Sequence, residues 1–232
     1  MSKILRYHFE LSILYSFKFV KNYIKMKKIF SLFIMGLLLT SLTPNSKIES
    51  IRIGEKAPLT DYNMREVSGN EFSLNDLKQK NGLLIIFSCN TCPFVIGNKS
   101  MDGWENRYNE LYEFCKKQEI GMVLVNSNEA KRNQGDSYAD MQKHSTNEKY
   151  DSPYLLDKNH QLADAFGAST TPHVFLLNNT MNLVYKGAID DNCGSKKEVK
   201  EEWLKDALKS LAKGEEIKNP ETRNSGCSIK RI

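Results

Sequence analysis

Two cysteines three residues apart, Cys89 and Cys92, are the side chains in this sequence best suited to covalent chemistry. A thiolate attacks disulfides, and a second thiol three residues away can resolve the mixed disulfide that forms. The apolar run 83–87, bounded by Asn81-Gly82, predicts a short buried strand leading into the pair. Behind it, Trp104, Tyr108, Leu111, Tyr112 and Cys115 recur at helical spacing and predict one face of a helix. Pro93 suits a first helical turn, where its missing N–H costs nothing. Cys89 and Cys92 are therefore expected at a strand-to-helix corner. Free N–H groups there can lower a thiol pKa from about 8.5 to between ~3.5 and ~7.5. Cys89, nearer the solvent side of the helix start, is expected to attack, and Cys92 to resolve.

The competing readings of the pair are a structural disulfide or half of a zinc site. Zinc sites with four protein ligands want a second Cys/His pair at similar spacing. None follows, since the other cysteines stand singly and His8, His144, His160 and His173 are scattered. No metal or cofactor is expected. Cys115 shares the apolar helix face and reads as a packed core thiol. That leaves Cys193, in a loop after Asp190-Asp191-Asn192, and Cys227, in a polar tail whose Ile229 has an apolar surface to dock. A Cys193–Cys227 bridge is one pairing this count allows. His173, directly after Thr171-Pro172, is an auxiliary candidate beside the dithiol, set against the plainer reading of a satisfied loop histidine.

The elements that would position these residues can be read in order. Strands are expected at 59–64 and 71–74 around the turn Ser68-Gly69-Asn70, then a short helix from Ser73. After the cysteine corner come a buried strand at 121–126, a helix at 137–144, an extended segment at 154–156 and a helix at 161–166 stopped by Gly167. Thr171-Pro172 leads into a strand at 174–177, Asn178-Asn179 turns it, and 183–189 pairs back as a hairpin. Val199, Trp203, Leu204, Ala207, Leu208 and Leu211 mark the last helix, ending at Gly214. Strands separated by helices predict an α/β fold with a parallel core and an antiparallel hairpin at its end.

At 232 residues and 40% hydrophobic content the chain is long enough for one domain with a sizeable core. Its formal charge of +5 sits at the front: residues 1–28 carry seven Lys/Arg against one acid, and the remainder carries −1. That remainder offers no nucleic-acid footprint. Met26-Lys27-Lys28 followed by the apolar run 29–42 and polar Thr43-Pro44-Asn45-Ser46 has the shape of a secretory signal. The expected organisation is a mis-assigned leader at 1–25, a signal peptide or N-terminal anchor at 26–48, a domain at 50–214 and a C-terminal tail at 215–232. An extracytoplasmic location follows, periplasmic or secreted, with membrane association through 29–42 if the signal stays uncleaved.

A resemblance sharpens this. Ile53-Gly54-Glu55-Lys56-Ala57-Pro58 looks like the opening of the alkyl hydroperoxide reductase/thiol-specific antioxidant branch of the thioredoxin family. Five further motifs are similar to a peroxiredoxin-like, redoxin-type subgroup: Phe87-Ser88-Cys89-Asn90-Thr91-Cys92-Pro93-Phe94-Val95, Asn126-Ser127-Asn128, Thr171-Pro172, Gly187-Ala188-Ile189-Asp190-Asp191-Asn192 and Gly226-Cys227-Ser228-Ile229-Lys230. The resemblance covers residues 51–232 and implies a thioredoxin fold: a central mixed sheet flanked by helices, with an N-terminal β extension and a C-terminal tail. It also implies a cis Thr171-Pro172 bond facing the dithiol, with Thr171 and Pro172 binding an extended substrate.

The peroxiredoxin signature Pro-x-x-x-Thr/Ser-x-x-Cys is not met. Counting back from Cys92, its hydroxyl and proline positions hold Cys89 and Ile85; from Cys89, they hold Ile86 and Gly82. Thiol–disulfide exchange with an antioxidant role therefore ranks first and peroxide reduction second. Copper handling through Cys89, Cys92 and His173 comes third, and a non-catalytic docking domain last. The expected partners are protein or small-molecule disulfides and thiols, with an external thiol reductant or oxidant.

Overall fold

Ile48–Ile232 are built around three strands whose apolar runs serve two cores at alternate residues. The computed structural model describes Lys25 and residues 48–232, and Ile48–Ile232 form one compact unit. The expected leader and signal segments, including the run 29–42, lie outside the described residues apart from Lys25 and Ile48. Among the described residues no helix is long and apolar enough to cross a membrane.

Seven strands form one mixed sheet in the order β2-β1-β5-β4-β3-β7-β8. They are β1 (Met64–Glu66), β2 (Glu71–Phe72), β3 (Gly82–Ser88), β4 (Ile120–Asn126), β5 (Tyr154–Leu156), β7 (His173–Asn178) and β8 (Leu183–Gly187). β3, β4 and β5 run parallel, while β7 lies antiparallel to β3 and turns back into β8. Leu84, Ile86, Met122, Leu124, Val174 and Leu176 face one core. Leu83, Ile85, Phe87, Val123, Val125, Phe175 and Leu177 face the other. Burial on both faces explains why these strands read as continuous apolar runs without alternation. The first core is closed by α3 (Tyr108–Lys117), α4 (Tyr138–Glu148) and α6 (Trp203–Lys213), after α1 (Leu74–Leu77) and α2 (Pro93–Ile96). α1 and α5 (Gln161–Phe166) cover the second.

Several expectations are corrected. The first strand is Met64–Glu66 and not 59–64, because Leu59 takes a positive φ of 52° inside a loop. α6 begins at Trp203, leaving Val199 in the preceding loop. The helix behind the cysteines is broken in two. α2 lasts four residues and stops at Gly97, where φ is 74° and an added Cβ would lie 2.4 Å from the Asp102 carbonyl oxygen. Trp104 therefore precedes α3, yet it is buried because its indole N–H donates to Asp190 Oδ1 at 2.7 Å. Arg107 pairs with the same carboxylate at 2.8 Å, both side chains almost wholly buried. This tie fastens the segment after α2 to the loop following β8.

The C-terminal tail is ordered. β9 (Cys227–Ser228) pairs antiparallel with β6 (Thr170–Thr171) in a small second sheet, in the register Thr171↔Cys227. Ile229 is buried in the second core, and its N–H donates to the Ser169 carbonyl at 3.0 Å.

Candidate active site

β3 ends at Ser88, so Cys89 leaves the sheet directly and Cys92 becomes the residue that caps α2. Both cysteines are buried, at 1% and 2% exposure. β7 runs beside β3, which brings the Thr171-Pro172 turn against the corner, and that peptide bond is cis. Cys89 Sγ and Thr171 Oγ1 hydrogen-bond at 3.2 Å. The Cys92 thiol donates to the Thr171 carbonyl at 3.1 Å. The Cys227 N–H, carried in by β9, donates to Cys92 Sγ at 3.3 Å. The structure thus brings together Cys89, Cys92, Thr171, Pro172 and Cys227.

Electrostatics separate the two thiols in the sense opposite to the one expected. A hydrogen bond from Cys89 lowers the Cys92 pKa to about 5, with further help from the Cys227 thiol and N–H and the Phe94 N–H against the cost of burial. Cys92 makes no side-chain cap bond to α2. The bond to the Thr171 carbonyl is lost on ionisation, while the bond from the Cys227 N–H is kept. Cys89 is pushed well above the ordinary thiol range, first by its interaction with Cys92, which keeps the proton on Cys89, then by burial and by the charge of Asp136. The Cys92 thiol is thus held below the ordinary thiol range and the Cys89 thiol above it. The idea that Cys89 sits nearer solvent is corrected: both sulfurs are covered, and the Cys227 N–H of β9 donates to Cys92.

Asp136 was not visible as a site residue in the sequence. It is wholly buried, and its carboxylate accepts from the Asn90 N–H at 2.7 Å and from Thr91 Oγ1 at 2.8 Å. Asn126 Nδ2 and Asn128 Nδ2 donate to it at 2.8 and 3.1 Å. One carboxylate thus clamps both residues between the cysteines and ties them to the end of β4. Tyr154 adds a bond from its hydroxyl to Asn90 Oδ1 at 2.9 Å. The Asn126-Ser127-Asn128 motif hinted at this network; nothing local marked Asp136 itself.

The remaining candidates fall elsewhere. His173 opposes Phe87 across β3 and β7, accepts the Ser169 N–H at 3.2 Å on Nδ1 and packs on the Phe175 ring. Burial, first, and the charge of Lys186 lower its pKa to about 4, so it is neutral at pH 7. It is the satisfied histidine of the plainer reading. Among the described residues no three His, Cys, Asp or Glu side chains are grouped to hold a metal, so the Cys89, Cys92 and His173 copper set does not assemble. Cys115 is buried in the first core, its pKa raised to about 12 by desolvation. The Cys193 thiol contacts Met101 Sδ at 3.8 Å, while Cys227 has gone to Cys92. All five cysteines are free, so the Cys193–Cys227 bridge is replaced by a Cys92–Cys227 contact. The Thr171 backbone, expected to be open to a substrate strand, is paired with β9.

Comparison with known proteins agrees with this fold. The redoxin family model matches residues 52–202. A hypothetical protein from Sinorhizobium meliloti 1021 has a similar structure, with 29% identity over 79% of this chain and 97% of that one, at a TM-score of 0.70. An uncharacterized conserved protein from Geobacillus kaustophilus shares 29% identity over 78% and 93%, at a TM-score of 0.68. A peroxidoxin from Mycobacterium tuberculosis, at 12% identity over 69% and 96% with a TM-score of 0.50, shares the fold. No curated protein matches the chain.

Proposed function

The chain belongs to the redoxin family, and from that premise we propose that it is a dithiol thiol–disulfide oxidoreductase in which Cys92 attacks and Cys89 resolves. The family and the thioredoxin fold make it a thiol redox enzyme in general terms. The observation that carries the finer reading is the Cys227 N–H donating to Cys92 Sγ at 3.3 Å, together with the lowered Cys92 pKa. A thiolate held near pKa 5 is ionised at neutral pH and is also a good leaving group.

In the first step Cys92 Sγ attacks one sulfur of a substrate disulfide. A Cys92–substrate disulfide forms, and the other substrate sulfur leaves as a thiolate. Once Cys92 is held in this disulfide, its sulfur no longer carries the charge that kept the proton on Cys89. Cys89 then attacks Cys92 Sγ, its proton passes to the departing substrate sulfur, and a Cys89–Cys92 disulfide remains. The substrate gains two electrons and the protein loses two; an external thiol restores the dithiol. Asp136 fixes Asn90 and Thr91 so that the two sulfurs keep their relation through both steps.

The chemistry is tested by insulin-disulfide reduction with glutathione as reductant, alongside peroxide consumption. Turnover of insulin without peroxide consumption supports the reading; inactivity on every disulfide tried would overturn it. Peroxide reduction is the second reading, favoured by one observation: the low-pKa thiol is the second cysteine, the register of a peroxidatic one. Against it, the position three residues before Cys92 holds a thiol where a peroxide-orienting hydroxyl would sit. An extracytoplasmic, antioxidant setting belongs to the same proposal and rests on Lys27-Lys28 and the run 29–42.

A further inference from the structure

Strand addition is a common way for an extended peptide to bind, with main-chain bonds giving affinity and one side chain presented to a site. Here the chain's own end lies in that position. β9 pairs with β6 at the cysteine corner and places Cys227 opposite Thr171, whose carbonyl and hydroxyl both contact the dithiol. The placement is firmly held. Gly226 lies so close to the Thr171 carbonyl that an added Cβ would sit 2.3 Å from its oxygen. Beyond Cys227, Ile229 is buried, the Lys230 N–H donates to Asn128 Oδ1 at 2.9 Å, and Arg231 Nε bonds Asp164 Oδ1 at 2.7 Å. Before it, Asn224 Nδ2 donates to Thr170 Oγ1 at 2.8 Å. The Cys227 N–H reaches Cys92 Sγ directly, at 3.3 Å.

We infer that Cys227 is a third redox-active cysteine, presented to Cys92 by the C-terminal strand as a built-in substrate. The inference rests on Cys92 being the attacking thiol. After Cys92 has formed a mixed disulfide, Cys227 Sγ attacks Cys92 Sγ, a Cys92–Cys227 disulfide forms, and the substrate sulfur leaves carrying the Cys227 proton. Cys89 then attacks Cys92 in turn, releasing Cys227 as a thiol and leaving the Cys89–Cys92 disulfide. Each step exchanges one disulfide for another, and the only oxidant consumed is the substrate disulfide. The tail thereby competes with incoming chains for Thr170–Thr171 and gives Cys92 a second resolving partner.

The test removes Cys89 and asks what resolves Cys92. The full chain carrying Cys89→Ser is treated with one equivalent of the disulfide of thionitrobenzoate, and its cysteines are mapped by peptide mass spectrometry. The expected result is two thionitrobenzoate anions released per reagent consumed at Cys92, with Cys92 and Cys227 recovered as one cross-linked peptide pair. Cys89→Ser combined with Cys227→Ser, shown to be folded by circular dichroism, is expected to release one anion and keep the adduct on Cys92. A stable Cys92 adduct in the Cys89→Ser chain, with Cys227 still open to alkylation, overturns the role of Cys227 and leaves Cys92 as the nucleophile. No reaction at Cys92 in either variant overturns both.

Discussion

At the scale of single residues, the chemistry depends on which sulfur holds the proton. Cys89-x-x-Cys92 was plain in the sequence, but the order of the roles was not. The deciding donors and charge are distant in sequence: the Cys227 N–H is 135 positions from Cys92, and Asp136 is 46 from Asn90. The pH dependence follows directly. The folded Cys92 value of about 5 lies below the ~8.5 of an unfolded thiol. Its ionisation thus adds stability that is complete above ~8.5 and is lost as the pH falls through 5. Peptide-resolved alkylation of the reduced chain should show Cys92 half-reactive near pH 5 and flat from pH 7 to 9, where an ordinary thiol still gains most of its reactivity. A Cys92 profile rising through pH 8.5 would contradict the assignment. Asp136→Asn removes a carboxylate that accepts four hydrogen bonds and turns a donor toward buried donors. A cost of about 1–3 kcal/mol is expected, which for a domain of this size is a fall of roughly 2–12 °C in Tm. Cys89 should also alkylate faster at pH 9, because a charge that raises its pKa is gone.

At the scale of elements, the strands that build the site were legible because burial on both faces leaves uninterrupted runs such as Leu83-Leu84-Ile85-Ile86-Phe87. The split of the helix behind them was not. Trp104 keeps helical spacing with Tyr108 and Leu111, yet it is buried by its bond to Asp190 and not by a helix. β9 was hidden for a similar reason: two residues carry no periodicity, and their pairing depends on where β6 lies. The tail should behave as a docked unit held by Ile229. Ile229→Ala removes a side chain of 4% exposure, at a cost of ~2–5 kcal/mol. Hydrogen exchange should then quicken at the Cys227, Ile229 and Lys230 amides while β3, β4 and β7 stay protected. The Cys92 alkylation midpoint should rise in the same variant, since the Cys227 N–H is withdrawn from the sulfur. Unchanged protection at those three amides would show that the tail is held by something other than Ile229.

At the scale of the whole molecule, both cores and all the site residues lie between Ala57 and Ile229. A chain of residues 48–232 should therefore fold with the Tm and thiol reactivity of the full chain, as checked by calorimetry and alkylation. A drop of more than a few degrees would mean that the front segment supports the domain. Export should depend on Lys27-Lys28 and the run 29–42, and a chain starting at Met26 should be exported as well as the full chain; cytosolic retention of that shorter chain on fractionation would contradict the extracytoplasmic reading. The central claim is that Cys92 makes the first attack on a disulfide. It is tested most directly by the burst of glutathione released from glutathione disulfide at pH 6 by the reduced chain, by Cys89→Ser and by Cys92→Ser. The account predicts that Cys89→Ser keeps the burst, one glutathione per chain in the first step, and that Cys92→Ser loses it. A burst kept by Cys92→Ser and lost by Cys89→Ser, with the adduct on Cys89, would contradict it.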